Sequence, residues 1–153
     1  MQMTNENAIV LSIKPRFAEA ILNGTKTVEL RRTEPKRLST GGLVLLYATS
    51  PDRRFVGGFK VGEIRRERID SLWRSVKGIC SVSEDEFLDY YCGVEEGVAL
   101  FVDEAWRLDR TVGIEAARRS FPGFAAPRSF RYATGDEVLA LRAIPQLSVA
   151  EAL

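Results

Sequence analysis

Apolar and polar positions fall into blocks whose period changes several times along the chain. "AIVLSI" (residues 8–13) is an apolar run of strand length. Pro15 then opens a segment where Phe17, Ala18, Ile21 and Leu22 recur at helical spacing. Proline suits the first position of a helix, and Gly24 supplies a left-handed stop. From 26 to 31 the period becomes two: Thr27, Glu29 and Arg31 share one face, Val28 and Leu30 the other. "TEPKRLSTGG" is a loop, and "LVLLYATS" (43–50) reads as a strand buried on both faces.

After a Ser50–Pro51–Asp52 turn, "RFVGGFKVGEI" (54–64) returns as a strand, with Phe59, Val61 and Glu63 on one face. Its Gly57, Gly58 and Gly62 suggest a bend, a bulge or a close backbone approach. "IDSLWRSVKG" (69–78) predicts a short helix. Ser83 with Glu86 forms a capping box, opening an acidic helix through Phe87, Leu88 and Tyr91 to Gly93. "GVALFVDEAWRL" (97–108) predicts a strand and "IEAARRSFPGF" a helical turn stopped by Pro122. "APRSFRYAT" reads as irregular and "DEVLALRA" (136–143) as the last strand. About six strands with helices inserted between them give an α+β domain built on a small barrel.

Composition narrows the chemistry. At 153 residues the chain is one domain, 1–153, long enough to bury roughly two thirds of its surface. It has no histidine, which excludes His-based triads and HExxH zinc sites. Cys80 and Cys92 make neither a disulfide framework nor a zinc pattern. No tight Asp/Glu/His cluster emerges, so neither a metal nor a cofactor is expected. No apolar run has the length of a membrane span and "MQMTNENAIV" is not a secretory signal, so a cytoplasmic address is expected. Residues 1–78 hold 15 Lys and Arg against 8 Asp and Glu, a net of +7; residues 79–153 hold 7 against 13, a net of −6. Such asymmetry suggests a basic face for a polyanion, unless folding interleaves the halves.

"LSIKPRFAEAILNGTKTVELRR", "GGLVLLYATSP", "VGGFKVGEI", "SLW" and "PRSFRYA" stand in an order and spacing that resemble the ASCH domain, a branch of the PUA-like superfamily associated with RNA. The resemblance covers about 9–142, leaving 144–153 as a tail. It implies a closed or nearly closed PUA-like β-barrel of about five to six strands with peripheral helices. It also implies a ligand cleft between barrel and first helix. Members bind nucleic acid, cleave RNA or hydrolyse the amide of N4-acetylcytidine. Where one branch has PPQSF this chain has APRSF, so Arg128 replaces an amide.

The candidate residues carry two readings each. Lys26 is a solvated lysine, or a phosphate contact and proton-transfer group. Glu29 and Arg31 are a surface ion pair, or the wall of the cleft. Glu63 is an exposed carboxylate, or one at the rim of an apolar interior. Tyr47 is a core aromatic, or a platform for a stacked base and a proton-transfer group. Arg53, Arg54 and Arg128 would contact phosphate, and Ser129 would donate to a phosphate or cap the turn. Basic loops interleaved with an aromatic fit single-stranded RNA. The function expected is thus RNA binding, with metal-independent cleavage by Lys26, Tyr47 or Glu63. Two alternatives stand beside it. An amidohydrolase would use Lys26 and Glu63 but has Glu29 where that branch carries threonine. An adaptor would hold a protein or metabolite through the acidic half and the tail "PQLSVAEAL".

Overall fold

The computed structural model describes residues 4–147, with side chains from Asn7 onward; most of the tail, 148–153, lies outside the described residues. The chain forms β1 (Thr4–Ile13), α1 (Pro15–Leu22), β2 (Val28–Arg31), β3 (Leu43–Ala48) and β4 (Arg54–Arg68). It continues with α2 (Ile69–Val76), α3 (Glu84–Tyr90), β5 (Glu96–Gly113), α4 (Ile114–Ser120), β6 (Phe130–Thr134), α5 (Gly135–Ala143) and β7 (Gln146–Leu147).

Among the described residues the strands make one seven-stranded sheet in the order β2-β5-β4-β3-β1-β6, with β7 paired to β5. Pairing is antiparallel except for β1 and β3, which run parallel with Ala8 opposite Leu43. The α+β class is as expected, but the expected barrel is not closed: the hydrogen-bonded path ends at β2 and β6, which do not pair with each other.

Two further expectations need correction. "DEVLALRA" is helix α5, because Thr134 accepts from the N–H of Glu137 and Glu137 accepts from the N–H of Thr134, a second capping box. "APRSFRYAT" contains β6, which is held by β1 and whose ladder partners are remote in sequence. The first helix, the α3 capping box and the glycine reading agree with the structure. A Cβ on Gly57 would stand 2.2 Å from the Trp106 carbonyl, and one on Gly58 would stand 2.6 Å from the Trp106 ring. The long strands β4 and β5 can therefore cross closely while their register shifts bend them.

Three apolar clusters locate the layers. Residues of β1, β3, β4 and β5 meet Ala18 and Ile21 of α1 in one cluster, with Phe130 and Tyr132 of β6 packed against it. The inner face of the curled sheet thus packs against one face of α1. On the outer face of β3, Leu45 and Tyr47 pack with Phe55, Trp106 and the segment around α4 and α5. Val28 and Leu30 of β2 bury outward against Leu72, Val76, Phe87 and Tyr91 of α2 and α3. By strand alternation, Glu29 and Arg31 then point inward, toward the seam where the sheet stays open. Among the described residues no helix is long and apolar enough to cross a membrane.

Candidate nucleic-acid interface

The end of α1 sets the first functional side chain. Gly24 takes φ +86 there, and the Lys26 N–H closes onto the Ala20 carbonyl at 3.0 Å, satisfying an acceptor the helix leaves open. This turn carries Lys26 inward: its side chain is only 2% exposed. Its Nζ donates to the Cys80 carbonyl and lies 3.6 Å from Glu29 Oε1 and 5.0 Å from the centre of the Phe17 ring. Burial pushes the Lys26 amine below the ordinary lysine value, and the opposing charge of Glu29 offsets part of that.

Glu29, buried as well, receives a second cation on its other oxygen: Arg31 Nη1 donates to Oε2 at 3.1 Å. Arg31 Nη2 donates to Ser129 Oγ at 2.5 Å. The remaining guanidinium donor, Arg31 Nε, is buried and has no hydrogen-bond partner among the described residues. Buried polar groups are paired as a rule, so this donor is an unmet demand inside the seam, next to the cleft that the Arg31 side chain lines.

These groups line a cleft of about 400 Å³, within the range of small-ligand pockets. Its walls are Ser12 to Lys14 at the end of β1, Arg16 and Phe17 of α1, Glu29 to Arg31 of β2, Glu86, Phe87 and Tyr90 of α3, and Arg128 before β6. Arg16 and Glu86 pair at 2.7 Å between α1 and α3 at the exposed side. Ser12 is tied to the same seam, its hydroxyl donating to the Pro127 carbonyl at 2.6 Å and its N–H to the Ser129 carbonyl at 2.9 Å.

The structure brings Lys26, Glu29, Arg31, Arg128 and Ser129 together, and it separates the other candidates from them. Tyr47 is 2% exposed and lies edge-on to Phe55 at 5.4 Å, on the face of β3 turned away from the cleft. Its ring has no free face for a stacked base. Glu63 is exposed and paired with Arg65 at 2.7 Å, because β4 shifts register on both sides of Val61 and loses the face it began with. Arg53 sits exposed on the β3–β4 turn at φ 49, with its N–H bonded to the Thr49 carbonyl. Arg54 donates to the Asp52 carbonyl and to Thr111. Neither lines the cleft, although Thr49 does.

Sequence reasoning missed Tyr90, Phe17 and the "IKPRF" cations Lys14 and Arg16. Tyr90 is 39% exposed at the cleft wall, and its ring is edge-on to Tyr91 at 4.8 Å. Helical phase was an available signal: with Phe87 and Tyr91 inward at i and i+4, Tyr90 falls beside them at the margin of the buried face. Among the described residues no group of three or more His, Cys, Asp or Glu side chains could hold a metal ion.

The ASCH domain model matches residues 11–101, which span β1 to β5 and include Lys26, Glu29 and Arg31. The chain belongs to the ASCH domain family. It is 27% identical over 128 residues to an ASCH domain-containing ribonuclease of Zymomonas mobilis, covering 84% of this chain and 85% of that one. The crystal structure of ASCH from Zymomonas mobilis superposes with a TM-score of 0.86 at 25% identity, over 93% of this chain and 99% of the other. The N-terminal domain of Staphylothermus marinus McrB, at 10% identity and a TM-score of 0.59 over 90% and 93% of the two chains, shares the fold alone.

Proposed function

We propose that this ASCH domain binds single-stranded RNA in the cleft between α1, β2 and α3, and that the same cleft cleaves it without a metal. The observation that carries the reading is the buried Lys26–Glu29–Arg31 chain with its unpartnered Arg31 Nε donor. Lys14, Arg16 and Arg128 add cations at the same opening, where a phosphate backbone would pass. The ribonuclease name of the Zymomonas mobilis relative supports the same class.

Cleavage within RNA needs a base for the 2′-hydroxyl and charge to stabilise the phosphate as it is attacked. Lys26, with its amine shifted toward neutrality, is the base. Arg31 and Arg128 hold the phosphate charge. Tyr90, which lines the cleft with Phe17, offers an aromatic face to a base.

Titration of labelled single-stranded RNA at about 50 and 200 mM salt tests binding. For about three neutralised phosphates, log affinity falls with log salt at a slope near −2. Incubation of the same RNA with a chelator present, for wild type and Lys26→Met, tests cleavage. RNA left intact by the wild type would end the cleavage reading, and no binding at either salt would end both.

A further inference from the structure

Lys26 and Glu29 form a pair whose chemistry goes beyond phosphate contact. A buried ammonium has three protons to place. Among the described residues Nζ has the Cys80 carbonyl as its hydrogen-bond acceptor and a carboxylate oxygen of Glu29 at the longer ion-pair distance of 3.6 Å. The apolar ring of Phe17 covers another side at 5.0 Å. This surrounding under-satisfies the ammonium and suits the neutral amine, the form that attacks carbonyl carbon. Burial lowers the amine in the same sense, with Arg16 adding to it and Glu29 and Cys80 opposing it.

We infer that Lys26 forms an imine with the aldehyde of a sugar that has lost its base, and that Glu29 then drives strand scission beside it. The inference rests on the nucleic-acid reading of the cleft and goes beyond it. In a polynucleotide, an aldehyde arises where a base is missing and the sugar ring opens. The cleft volume of about 400 Å³ suits one such unit, and Arg31 and Arg128 line the same cleft as Lys26 and Glu29, as cations for a flanking phosphate.

The reaction balances without an oxidant or reductant. The Nζ lone pair forms a bond to C1′, and the former carbonyl oxygen takes one proton from Nζ and one from solvent and leaves as water, giving the iminium. The resulting iminium withdraws electrons from C2′, whose proton passes to the Glu29 carboxylate. The C2′–H electrons become the C1′–C2′ enamine bond and then expel the 3′ oxygen with its phosphate. Water hydrolyses the imine, restoring the Lys26 amine and releasing the unsaturated aldehyde end.

The test mixes the full chain with single-stranded oligonucleotides carrying one abasic site, deoxyribose in one arm and ribose in the other. A tetrahydrofuran analogue that has no aldehyde is the control. Borohydride then reduces any imine to a stable bond, seen on a denaturing gel and mapped by peptide sequencing. The expected result is a covalent band at Lys26, absent with the analogue and in Lys26→Met and Lys26→Arg. Glu29→Gln should keep the band while slowing scission by roughly 10²-fold, the size of a lost general base. Trapping in one arm alone assigns the substrate to that sugar. No band above the Lys26→Met background, or a band mapping to the exposed Lys14 or Lys36, overturns the inference. Binding of intact RNA in the same samples reports separately on the proposed function, so the two can fail independently.

Discussion

The guanidinium of Arg31 donates to the hydroxyl of Ser129 across the gap between β2 and β6, joining residues 98 apart in sequence. These are the edge strands of the open sheet, and at this point a side-chain bond stands where a ladder would close a barrel. Nearby, the Arg37 N–H donates to the Tyr132 hydroxyl at 2.9 Å, and its guanidinium lies 3.9 Å from the centre of that ring. The seam is therefore stitched by side chains and leaves room for a cleft. Arg31 serves the seam with Nη2 and Glu29 with Nη1, while its side chain lines the cleft.

Ser129→Ala should lower stability by about 1–3 kcal/mol, because a buried guanidinium N–H loses its acceptor. Urea unfolding checks the size. RNA affinity should change less than in Arg31→Ala, which removes the orphan donor as well as the stitch.

Lys26→Met removes one partner of a buried ion pair and leaves Glu29 with Arg31 alone. Removing one partner of a buried pair costs about 3–5 kcal/mol, and the Arg31 guanidinium should hold the loss toward the lower end. Urea unfolding measures the loss, and RNA cleavage is assayed under conditions where the variant stays folded. Folded Lys26→Met that still cleaves RNA at the wild-type rate would show that Lys26 is structural only.

With Lys26 as the base, cleavage should rise with pH as its amine deprotonates and reach a plateau below the ordinary lysine value of about 10.4. Rates measured across pH on one labelled RNA locate the plateau. Glu29→Gln removes the charge that holds the proton, so its plateau should begin at lower pH.

Tyr90→Ala and Tyr47→Ala should separate binding from folding. Tyr90 is half-exposed at the cleft, so its loss should weaken RNA binding by about 1–3 kcal/mol with little change in stability. Tyr47 is packed among Phe55 and Phe124, so its loss should cost about 3–5 kcal/mol of stability. Paired binding and urea titrations distinguish the two.

Glu137 gives an acid limb to stability. Burial pushes its carboxyl up, but the Arg131 fork at 2.7 and 2.8 Å and the Thr134 N–H outweigh this and hold it below the ordinary carboxylate value. A depressed carboxyl stabilises the fold above its unfolded pKa and loses that contribution as pH falls through the folded one. Urea midpoints should therefore decline between about pH 5 and 2, and Glu137→Gln should flatten the decline while lowering stability at neutral pH.

The local code of this chain is legible wherever a short-range interaction decides. Pro15 and Gly24 bound α1, Ser83 and Glu86 cap α3, and Gly57 and Gly58 mark a close backbone crossing. The alternation of "TKTVELRR" also determines that Glu29 and Arg31 share a face, and the resemblance of the motifs to the ASCH domain makes that face a cleft wall. The same capping logic at Thr134 and Glu137 holds α5, against the strand pattern of "DEVLALRA".

What the tertiary structure alone decided are the relations between remote segments. No local pattern announces that β2 and β6 stop short of pairing, or that Ser129 meets Arg31 there. Glu63 left the interior because β5 pulls β4 through two register shifts, and alternation counted within β4 cannot register a bulge. Tyr47 turned outward because the curled sheet buries both faces of β3, and an apolar strand sequence does not say which face meets the ligand. Sequence determined which side chains share a face; packing decided which faces meet.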